Sequence, residues 1–336
     1  MKLHIEEIVS RPVWETFVGK YASRALFQTW LWGEVIKQQG IALWRFGLFD
    51  GRSLAGVVQV AKVRARRGTY LHVRHGPVFR LQRLSYWRSV LTHLSSFART
   101  ERAWFLRVSP YIDDSPEHRL LLRGLSLRPS VLHEVDGERC LLLSLDQTEE
   151  EILARMRKST RYEVRRAEKM GLRIMHSTDP NDLDGFFRLY QETSKRQRFV
   201  PHKGIREEFA LYAAEGNAVL VLGYDQQILL SAAIILFSEH QAIYHHGASI
   251  PGKLPVNYAV QWEAIRMAKK RGMRWYNFWG VSPEGDQSHP WYGHSLFKRG
   301  FGGTEVTLIH AYDLPLSPWC WLTRGFEWIE ERMRGY

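Results

Sequence analysis

Cysteine is scarce in this sequence, and its scarcity excludes two classes of architecture. Among 336 residues only Cys140 and Cys320 occur, far apart in the chain. Disulfide-stapled secreted domains and cysteine-ligated zinc modules both need several cysteines at short spacings. The sequence therefore predicts neither, and a reducing compartment fits best. Cys140 opens the apolar run 140–143, where a buried and inert thiol is expected.

Long apolar runs are also missing. A membrane-spanning helix needs about 20 predominantly apolar residues, and no window of this sequence approaches that length. Residues 1–7 include charges where a secretory signal peptide has its apolar core. We therefore predict a cytoplasmic protein without a transmembrane segment, and leave open a location at the inner face of the membrane.

Common catalytic and cofactor motifs are absent as well. There is no phosphate-binding Walker loop, and no Ser–His–Asp or Cys–His constellation can be assembled from the spacing. Adjacent residues of a strand point to opposite faces, so His245 and His246, on a predicted strand, have poor geometry for a shared metal. We therefore predict no covalent catalysis, no metal and no cofactor.

The sequence is strongly basic. It has 47 Lys and Arg against 35 Asp and Glu, which gives a formal net charge of +12. This balance suits a polyanionic partner such as nucleic acid, a phosphate-rich metabolite or an anionic membrane surface. Bulk charge does not say where the cations lie, so the local pattern has to decide among these partners.

The same order of predicted elements occurs twice. In the first half, strands at 42–49, 53–63 and 69–73 are followed by a helix at about 83–99 and a strand at 103–108. In the second half, strands at 218–224, 229–237 and 241–245 are followed by a helix at about 257–271 and a strand at 274–278. Hairpins followed by a helix crossover predict an α+β fold of two similar domains, in the strand order of GNAT acetyltransferases.

A basic helix is predicted at 151–170, and Gly171 is suited to end it. Its apolar residues share one face, and four cations recur on another at spacings of three and four: Lys158, Arg161, Arg165 and Lys169. Such a stripe can bind a polyanion such as RNA, or it can be a solvated surface. The pattern alone leaves both interpretations open.

A second informative segment is 294–303, which contains Lys298 and three closely spaced glycines. Glycines let a backbone approach a ligand closely, and Lys298 could add charge there. A simple glycine-rich turn before the next strand is the alternative. The chain also lacks the glycine loop with which GNAT enzymes bind the coenzyme A pyrophosphate, so a GNAT-like fold here would need another acyl donor.

Several segments, in order along nearly the whole chain, resemble the FemABX family. The matching segments are Phe27-Gln28-Thr29-Trp30 with Trp32 and Lys37, His75-Gly76-Pro77, the basic helix through Arg161 to Gly171, Glu192-Thr193 with Arg196 and Phe199, Tyr244 to Ser249, Tyr276 to Gly280, and Phe297-Lys298 with Phe301-Gly302-Gly303. The resemblance implies two GNAT-like domains. It also implies transfer of an amino acid from aminoacyl-tRNA to the stem peptide of a peptidoglycan precursor, which is either nucleotide-linked or lipid II.

The resemblance also implies roles for single residues. Lys298, with Phe297, would be catalytic, meeting the tRNA terminus and offsetting negative charge on the ester carbonyl. The precursor would be bound by Lys37, Arg196, Trp32 and Tyr244, and the tRNA by Lys158, Arg161, Arg165 and Lys169. Lys37 and Arg196 are suited to a diphosphate, although either could be a surface cation.

The chain departs from the family pattern at three places. The family often has Asp before Pro where this chain has Ser109-Pro110, so no general base is assigned. Asn277 stands where an acidic residue is frequent before the Phe-x-Gly turn. There is also no room after Lys158 for the long helical arm of some members, and compact members do without it.

These features predict a monomer with two domains. The first, precursor-binding domain would span 1–145 and be completed by the tail 314–336, and the second would span 146–313. The tail is predicted to be an amphipathic helix with aromatic residues, which either packs on the first domain or touches a membrane surface.

Two other functions remain open at this point. A GNAT-like enzyme could acylate another amine with a different acyl donor, in which case RNase would not affect its activity. A non-catalytic nucleic-acid-binding protein would also explain the charge and the basic stripe, although no recognised binding motif is present.

Overall fold

The chain forms two compact units. The computed structural model describes residues 3–65, 68–132, 136–197 and 199–334. The first unit comprises residues 1–138 and 307–336, and the second comprises residues 139–306. Residues 335–336, the end of the predicted tail helix, lie outside the described part.

Strands and helices follow one another in this order. In the first unit these are β1 Leu3–Glu7, α1 Arg11–Ala22, α2 Trp30–Gln38, β2 Leu43–Asp50, β3 Ser53–Ala65, β4 Gly68–Arg74, β5 Val78–Phe79, α3 Leu84–Thr100, β6 Phe105–Ser109, α4 Pro116–Arg123 and β7 Arg128–Pro129. In the second unit they are β8 Arg139–Ser144, α5 Glu149–Arg155, α6 Lys158–Lys169, β9 Arg173–Ser177, α7 Leu183–Gln197, α8 Ile205–Ala214, β10 Ala218–Asp225, β11 Ile228–Ser238, β12 Gln241–Ser249, α9 Val256–Lys270, β13 Trp275–Gly280, α10 Tyr292–Gly300 and β14 Thr304–Thr307. The chain ends with β15 Tyr312–Pro315 and α11 Cys320–Arg334.

Each unit is built on one mixed sheet. The first sheet has the order β1-β2-β3-β4-β6-β15-β7, and β5 also pairs with β3. The second has the order β14-β8-β13-β12-β11-β10-β9. In both, antiparallel hairpins lead into one parallel pair, β4 with β6 and β12 with β13, and a helix makes the crossover. The predicted α+β class and the repeated element order are confirmed.

The crossover helices bury the faces that the sequence periodicity predicts. In α3 the residues Tyr86, Trp87, Val90, Leu91 and Leu94 are all buried against the first sheet. Full burial of a large apolar side chain contributes about 1.5 to 3 kcal/mol, so these five side chains supply much of the attachment of α3. No helix in the described part of the chain is long and apolar enough to cross a membrane.

The unit boundaries differ from the predicted ones. Strand β8 begins at Arg139, before the predicted boundary at 145, and pairs with β13 in the second sheet. Its apolar run is buried on both faces, and β8 lies between β14 and β13 in that sheet. The chain re-enters the first unit at residue 307 rather than 314, ahead of β15, which pairs with β6 and β7.

The predicted continuous helix at 151–170 is wrong, because the structure has two helices there. A capping box between Thr148 and Glu151 starts α5, and α6 begins only at Lys158. Met156 and Arg157 between them are extended. The Arg157 amide donates to the carbonyl of Gly300 over 2.9 Å, a bond to the end of α10 that a continuous helix could not make.

A buried charge cluster attaches the end of the chain to the first sheet. The Arg107 guanidinium on β6 donates to Asp313 on β15, with Nε to Oδ1 at 2.7 Å. It also donates to Glu327 on α11, with Nη1 to Oε1 at 2.9 Å. Burial disfavours the charged form, but the hydrogen bonds to Asp313 and Glu327 outweigh it and raise the pKa of Arg107.

Arg107→Met is therefore expected to destabilise the protein strongly. It leaves the buried Glu327 carboxylate without Arg107 and leaves Asp313 with Arg324 as its remaining cation, and removing one partner of a buried ion pair costs about 3 to 5 kcal/mol. Urea unfolding would measure the loss. Arg119→Met is the matched control, because Arg119 pairs with Asp114 at the surface and such pairs contribute about 0 to 1 kcal/mol. Equal losses for both variants would contradict the role assigned to Arg107.

Candidate active site

Lys298 lies on α10, where its side chain is half-buried and points back to the end of β13. Its Nζ donates to the carbonyl of Gly280 over 2.6 Å. Phe297 precedes it on the helix and packs between Tyr258 and Phe301, with ring centroids 5.2 Å from each. The apolar anchor and the hydrogen bond together fix the position of the ammonium group.

The surroundings of Lys298 weaken its hold on a proton. Burial removes water from the ammonium and lowers the pKa of Lys298 to about 8, although the nearby thiol of Cys140 acts in the opposite sense. The group is therefore still mostly protonated at neutral pH. A poorly hydrated cation interacts more strongly with a developing negative charge than a cation in water does.

Tyr244 on β12 lies on the same side of the second sheet as Lys298. The Lys298 Nζ is 6.0 Å from the centroid of its ring. The Tyr244 hydroxyl lies over Gly247. A Cβ atom on residue 247 would overlap this hydroxyl, so residue 247 has to be glycine. Burial raises the pKa of Tyr244 to about 12, and the hydroxyl therefore stays protonated and can donate a hydrogen bond.

An irregular turn supplies the carbonyl that binds Lys298. The β8–β13 register shifts between Asn277 and Gly280. Trp279 has φ of 64°, a left-handed conformation that is unfavourable for a bulky residue. The Asn277 side chain accepts a hydrogen bond from the Trp279 amide at 2.8 Å and so stabilises the turn.

Arg196 and His294 extend this group of residues in the second unit. Both Nη atoms of Arg196 donate to the carbonyl of Ser249 at 3.1 Å, and its side chain is exposed. His294 is at the surface, but its pKa is lowered to about 4. Partial burial of the ring is the larger cause, and the positive charges of Lys298 and Arg196 add to it. The neutral imidazole leaves Lys298 and Arg196 as the cations of this region.

Comparison with known proteins identifies the family. A model described as FemAB family matches residues 9–118, 138–204 and 217–324. The chain belongs to the FemAB family. The resemblance seen in the sequence is thereby confirmed.

Two curated relatives carry informative names. The lipid II:glycine glycyltransferase of Staphylococcus epidermidis is 21% identical over 379 residues, covering 90% of this chain and 91% of that protein. The aminoacyltransferase FemA of Staphylococcus aureus is 25% identical over 96 residues, covering 28% of this chain and 23% of FemA. Members of the family are thus named as aminoacyltransferases, and this chain is an enzyme of that class.

Solved structures agree on the fold. The crystal structure of FemX has a TM-score of 0.81 at 18% identity, with 97% of this chain and all of that chain (100%) covered. A tandem GNAT protein from the clavulanic acid biosynthesis pathway has a TM-score of 0.61 at 11% identity, with 94% and 99% covered. The predicted arrangement of two tandem GNAT-like domains is confirmed.

The two residues of the first unit that are predicted to bind the precursor lie on α2. Lys37 is exposed, and its Nζ is 3.4 Å from Glu34 Oε1. Trp32 is only 7% exposed, and the Arg74 guanidinium lies 5.5 Å from the centroid of its ring. Lys37 is open to a ligand, whereas Trp32 acts mainly as packing beneath Arg74. Their role in binding a precursor stays a prediction.

Asp136 is a residue of the first unit that the sequence reasoning missed. Its carboxylate accepts from Arg74 Nε at 2.5 Å, lies 3.4 Å from His72 Nε2 and accepts from the Ser109 hydroxyl. Burial alone would raise the pKa of Asp136, but the charges of Arg74 and His72 outweigh it and hold the pKa far below its usual range. A carboxylate thus lies beside Ser109, where the FemAB pattern often has Asp. The sequence feature that could have drawn attention to Asp136 is the Asp136-Gly137 pair, because such a pair is typical of a turn.

The predicted cationic stripe lies on α6. Lys158, Arg165 and Lys169 are exposed and Arg161 is half-buried, whereas Thr160, Val164 and Ala167 are buried on the opposite side. The guanidinium of Arg161 donates to the Ala154 carbonyl over 2.8 Å. Most of the stripe is therefore available to a polyanion, and its binding role stays a prediction.

The glycines at 300–303 make internal contacts. A Cβ at Gly300 would overlap the Thr160 hydroxyl of α6, and Gly303 has φ of 110° with the Leu142 carbonyl against it. They allow α10 and β14 to approach α6 and β8 closely. The interpretation as a structural turn accounts for these glycines, and the catalytic role of Lys298 in this segment stays a prediction.

One geometric expectation about histidines is wrong. His245 and His246 do not point to opposite faces, because a β-bulge occurs there: Ile234 faces His246 and Ile235 faces Tyr244, which leaves His245 as the extra residue. Their ring centroids are 4.3 Å apart. Strict alternation along β12 was the assumption that failed.

An NMR titration would test the environment of Lys298. With lysines labelled at Cε, one lysine is expected to titrate near pH 8, whereas exposed lysines titrate at about 10.4. The signal should vanish in Lys298→Arg and persist in Lys270→Arg, since Lys270 is exposed on α9. A Lys298 signal that titrates with the exposed lysines would contradict the desolvated site.

Proposed function

We propose that this FemAB-family enzyme transfers an amino acid from aminoacyl-tRNA to an amine of the stem peptide of a peptidoglycan precursor. The observation that carries the proposal is Lys298, a desolvated ammonium held by the Gly280 carbonyl next to Tyr244. The name of the Staphylococcus epidermidis relative supports lipid II as the type of acceptor and an amino acid as the transferred group.

The reaction is aminolysis of an ester. The amine nitrogen attacks the carbonyl carbon of the aminoacyl ester, a C–N bond forms, and the bond from carbon to the tRNA ribose oxygen breaks. Negative charge passes from the carbonyl oxygen to the leaving oxygen, which takes up a proton while the amine loses one. Lys298 is suited to offset that charge, because its ammonium is fixed in position and poorly hydrated.

Positioning, rather than a strong base, supplies most of the proposed rate. The ion pair with Arg74 makes Asp136 a weak proton acceptor. An ester is already activated toward amines, and holding two reactants together can lower a barrier by about 7 to 11 kcal/mol. Proton transfer assisted by the substrate itself is therefore sufficient.

Each unit has an exposed cation that is suited to precursor phosphates. Lys37 and Arg196 are both exposed, and a guanidinium or ammonium group pairs well with phosphate oxygens. In the second unit Tyr244 would donate its hydroxyl to the peptide part of the precursor, and in the first unit Trp32 would support the surface around Arg74 from beneath.

The exposed face of α11 favours a lipid-linked acceptor. Its large apolar side chains are about half exposed or more: Trp321, Leu322, Phe326, Trp328, Ile329 and Met333. The opposite face is attached to the first sheet through Glu327, and the Arg332 guanidinium lies 3.8 Å from the Trp328 ring centroid. Aromatic and basic residues together are typical of helices that lie in a membrane interface. Peripheral contact at the inner face of the membrane is therefore part of the proposal.

Label transfer tests the reaction. Radiolabelled aminoacyl-tRNAs would be supplied with a nucleotide-linked precursor, or with lipid II in vesicles. RNase-sensitive label in the precursor is expected, with lipid II the better acceptor. Transfer that survives RNase would point instead to a GNAT-like acyltransferase with another donor, and tRNA binding without transfer would point to a binding protein.

Substitutions test the site. Lys298→Ala should lower turnover about 100- to 1000-fold, as loss of an oxyanion-stabilising group does in other enzymes. Lys37→Ala and Arg196→Ala should raise the KM for the precursor first. As a control, Lys270→Ala should leave both constants unchanged. Unchanged kinetics in the first three variants would remove the site assignment.

The dependence of turnover on pH shows whether Lys298 acts as a cation or as a general base. Because its protonated form is the useful one, turnover should fall as pH rises through about 8. Lys298→Arg keeps the charge and should move this fall to higher pH. A rise through pH 8 that depends on Lys298 would indicate a general base instead.

Charge reversal on α6 tests tRNA binding. Arg165→Glu should weaken binding and reduce the slope of log affinity against log salt by about 1, since each phosphate contact releases about one counterion. Lys270→Glu makes the same charge change on α9 and should have little effect. Filter binding at several salt concentrations would measure both. Equal effects would mean that the stripe is only a solvated surface.

A further inference from the structure

Three potential metal ligands converge in the second unit at a place that the proposed reaction does not use. Glu208 on α8 and the adjacent residues His245 and His246 on β12 each offer one ligand atom, and these atoms all lie within 4.8 Å of one another. The His245 Nε2 is 2.7 Å from Glu208 Oε1. Glu208 is 7% exposed, and a carboxylate buried to this extent is usually paired or coordinates a metal.

The backbone is shaped to bring these groups together. In a regular strand His245 and His246 would point to opposite faces. The bulge at His245 moves the two rings to within 4.3 Å, centroid to centroid. Bulges often re-aim a side chain next to a functional site. Helix α8 then contributes the carboxylate from the other side.

A third histidine lies beside the group. The ring centroid of His202, in the segment before α8, is 5.4 Å from that of His246, and His202 is exposed. A small movement of this exposed side chain would bring a further nitrogen to the cluster. If His202 does not bind, the fourth coordination position of a metal ion held by the other three residues would be open to water.

We propose that Glu208, His245 and His246 bind Zn²⁺ or a divalent transition metal of similar ligand preference. Imidazole nitrogen and carboxylate oxygen are common zinc ligands, and two histidines with one glutamate form a known three-ligand set. On binding, the metal replaces the proton shared by His245 and Glu208. It would then link α8 to β12 directly after Tyr244, and so fix the bulge beside the acyl-transfer site.

An ordinary hydrogen-bonded pair is the competing explanation, and the chain provides a comparison. His176 Nε2 is 3.1 Å from Glu263 Oε1 in the same unit, which is the same pair of groups. Among the described residues, the metal-type grouping of three ligands includes Glu208 and not Glu263. A metal is therefore expected at His245 and not at His176.

Isothermal titration of the chelator-treated, full-length protein with Zn²⁺ tests the proposal. One equivalent should bind. Loss of even an outer-shell partner costs about 10- to 100-fold in metal affinity, so His246→Gln and Glu208→Gln should each cost at least about 100-fold. His176→Gln should bind like the unmodified protein, and the melting temperature should rise with Zn²⁺ only where binding is retained.

Two outcomes would overturn the proposal. One is the absence of Zn²⁺ binding by the unmodified protein, and the other is unchanged affinity in Glu208→Gln. Glu208→Gln keeps the side-chain volume, so it guards against misfolding in His246→Gln, and circular dichroism without metal would verify both folds. No tRNA or precursor enters this experiment, so its result is independent of the proposed reaction.

Discussion

The contact of the Arg107 guanidinium with the carboxylates of Asp313 and Glu327 joins the two sequence segments that form the first unit. Arg107 is separated from Asp313 by 206 positions and from Glu327 by 220. The intervening chain contains the entire second unit, which is therefore an insertion between β7 and β15. Three ionised groups are costly to bury, and their geometry repays the cost only when all three meet. The cluster thus favours the complete fold over one in which the last residues are detached.

The groups of the candidate active site depend on irregular backbone more than on the regular sheet. The sheet places β12 beside β13, but the bulge in β12 and the turn at Trp279 decide where Tyr244 and the Gly280 carbonyl lie. A left-handed tryptophan costs of order 1 to 3 kcal/mol, and the Asn277 hydrogen bond offsets part of it. Strain of this kind persists because the surrounding strands fix both ends of the turn.

Residue periodicity predicted the fold well, because the core elements bury one regular face. The strands around the Asp50-Gly51 turn and the helix faces of α3 and α6 follow directly from their patterns. Periodicity failed where a tertiary contact overrode it. The predicted helix at 151–170 is interrupted where the Arg157 amide binds the Gly300 carbonyl. Strand β8 pairs with β13 in the second unit instead of belonging to the first. At His245 a bulge interrupts the alternation of side chains between the two faces of the sheet. Lys298 was predicted from the family resemblance. Its lowered pKa could not be predicted from the sequence, because it results from burial in the folded protein.

At two departures from the FemAB pattern, an acceptor or a negative charge still lies where the acidic residue is frequent. At Asn277 the turn needs a hydrogen-bond acceptor for the Trp279 amide, and an amide oxygen provides it as well as a carboxylate would. At Ser109 the hydroxyl donates to Asp136, so a negative charge still lies at this position, although it comes from a different segment. That charge is paired with Arg74 and lies against His72. Because the ion pair keeps this carboxylate ionised, what the site retains is an electrostatic anchor rather than a proton acceptor. In the proposed reaction, charge stabilisation is therefore assigned to Lys298 and most of the rate to substrate positioning.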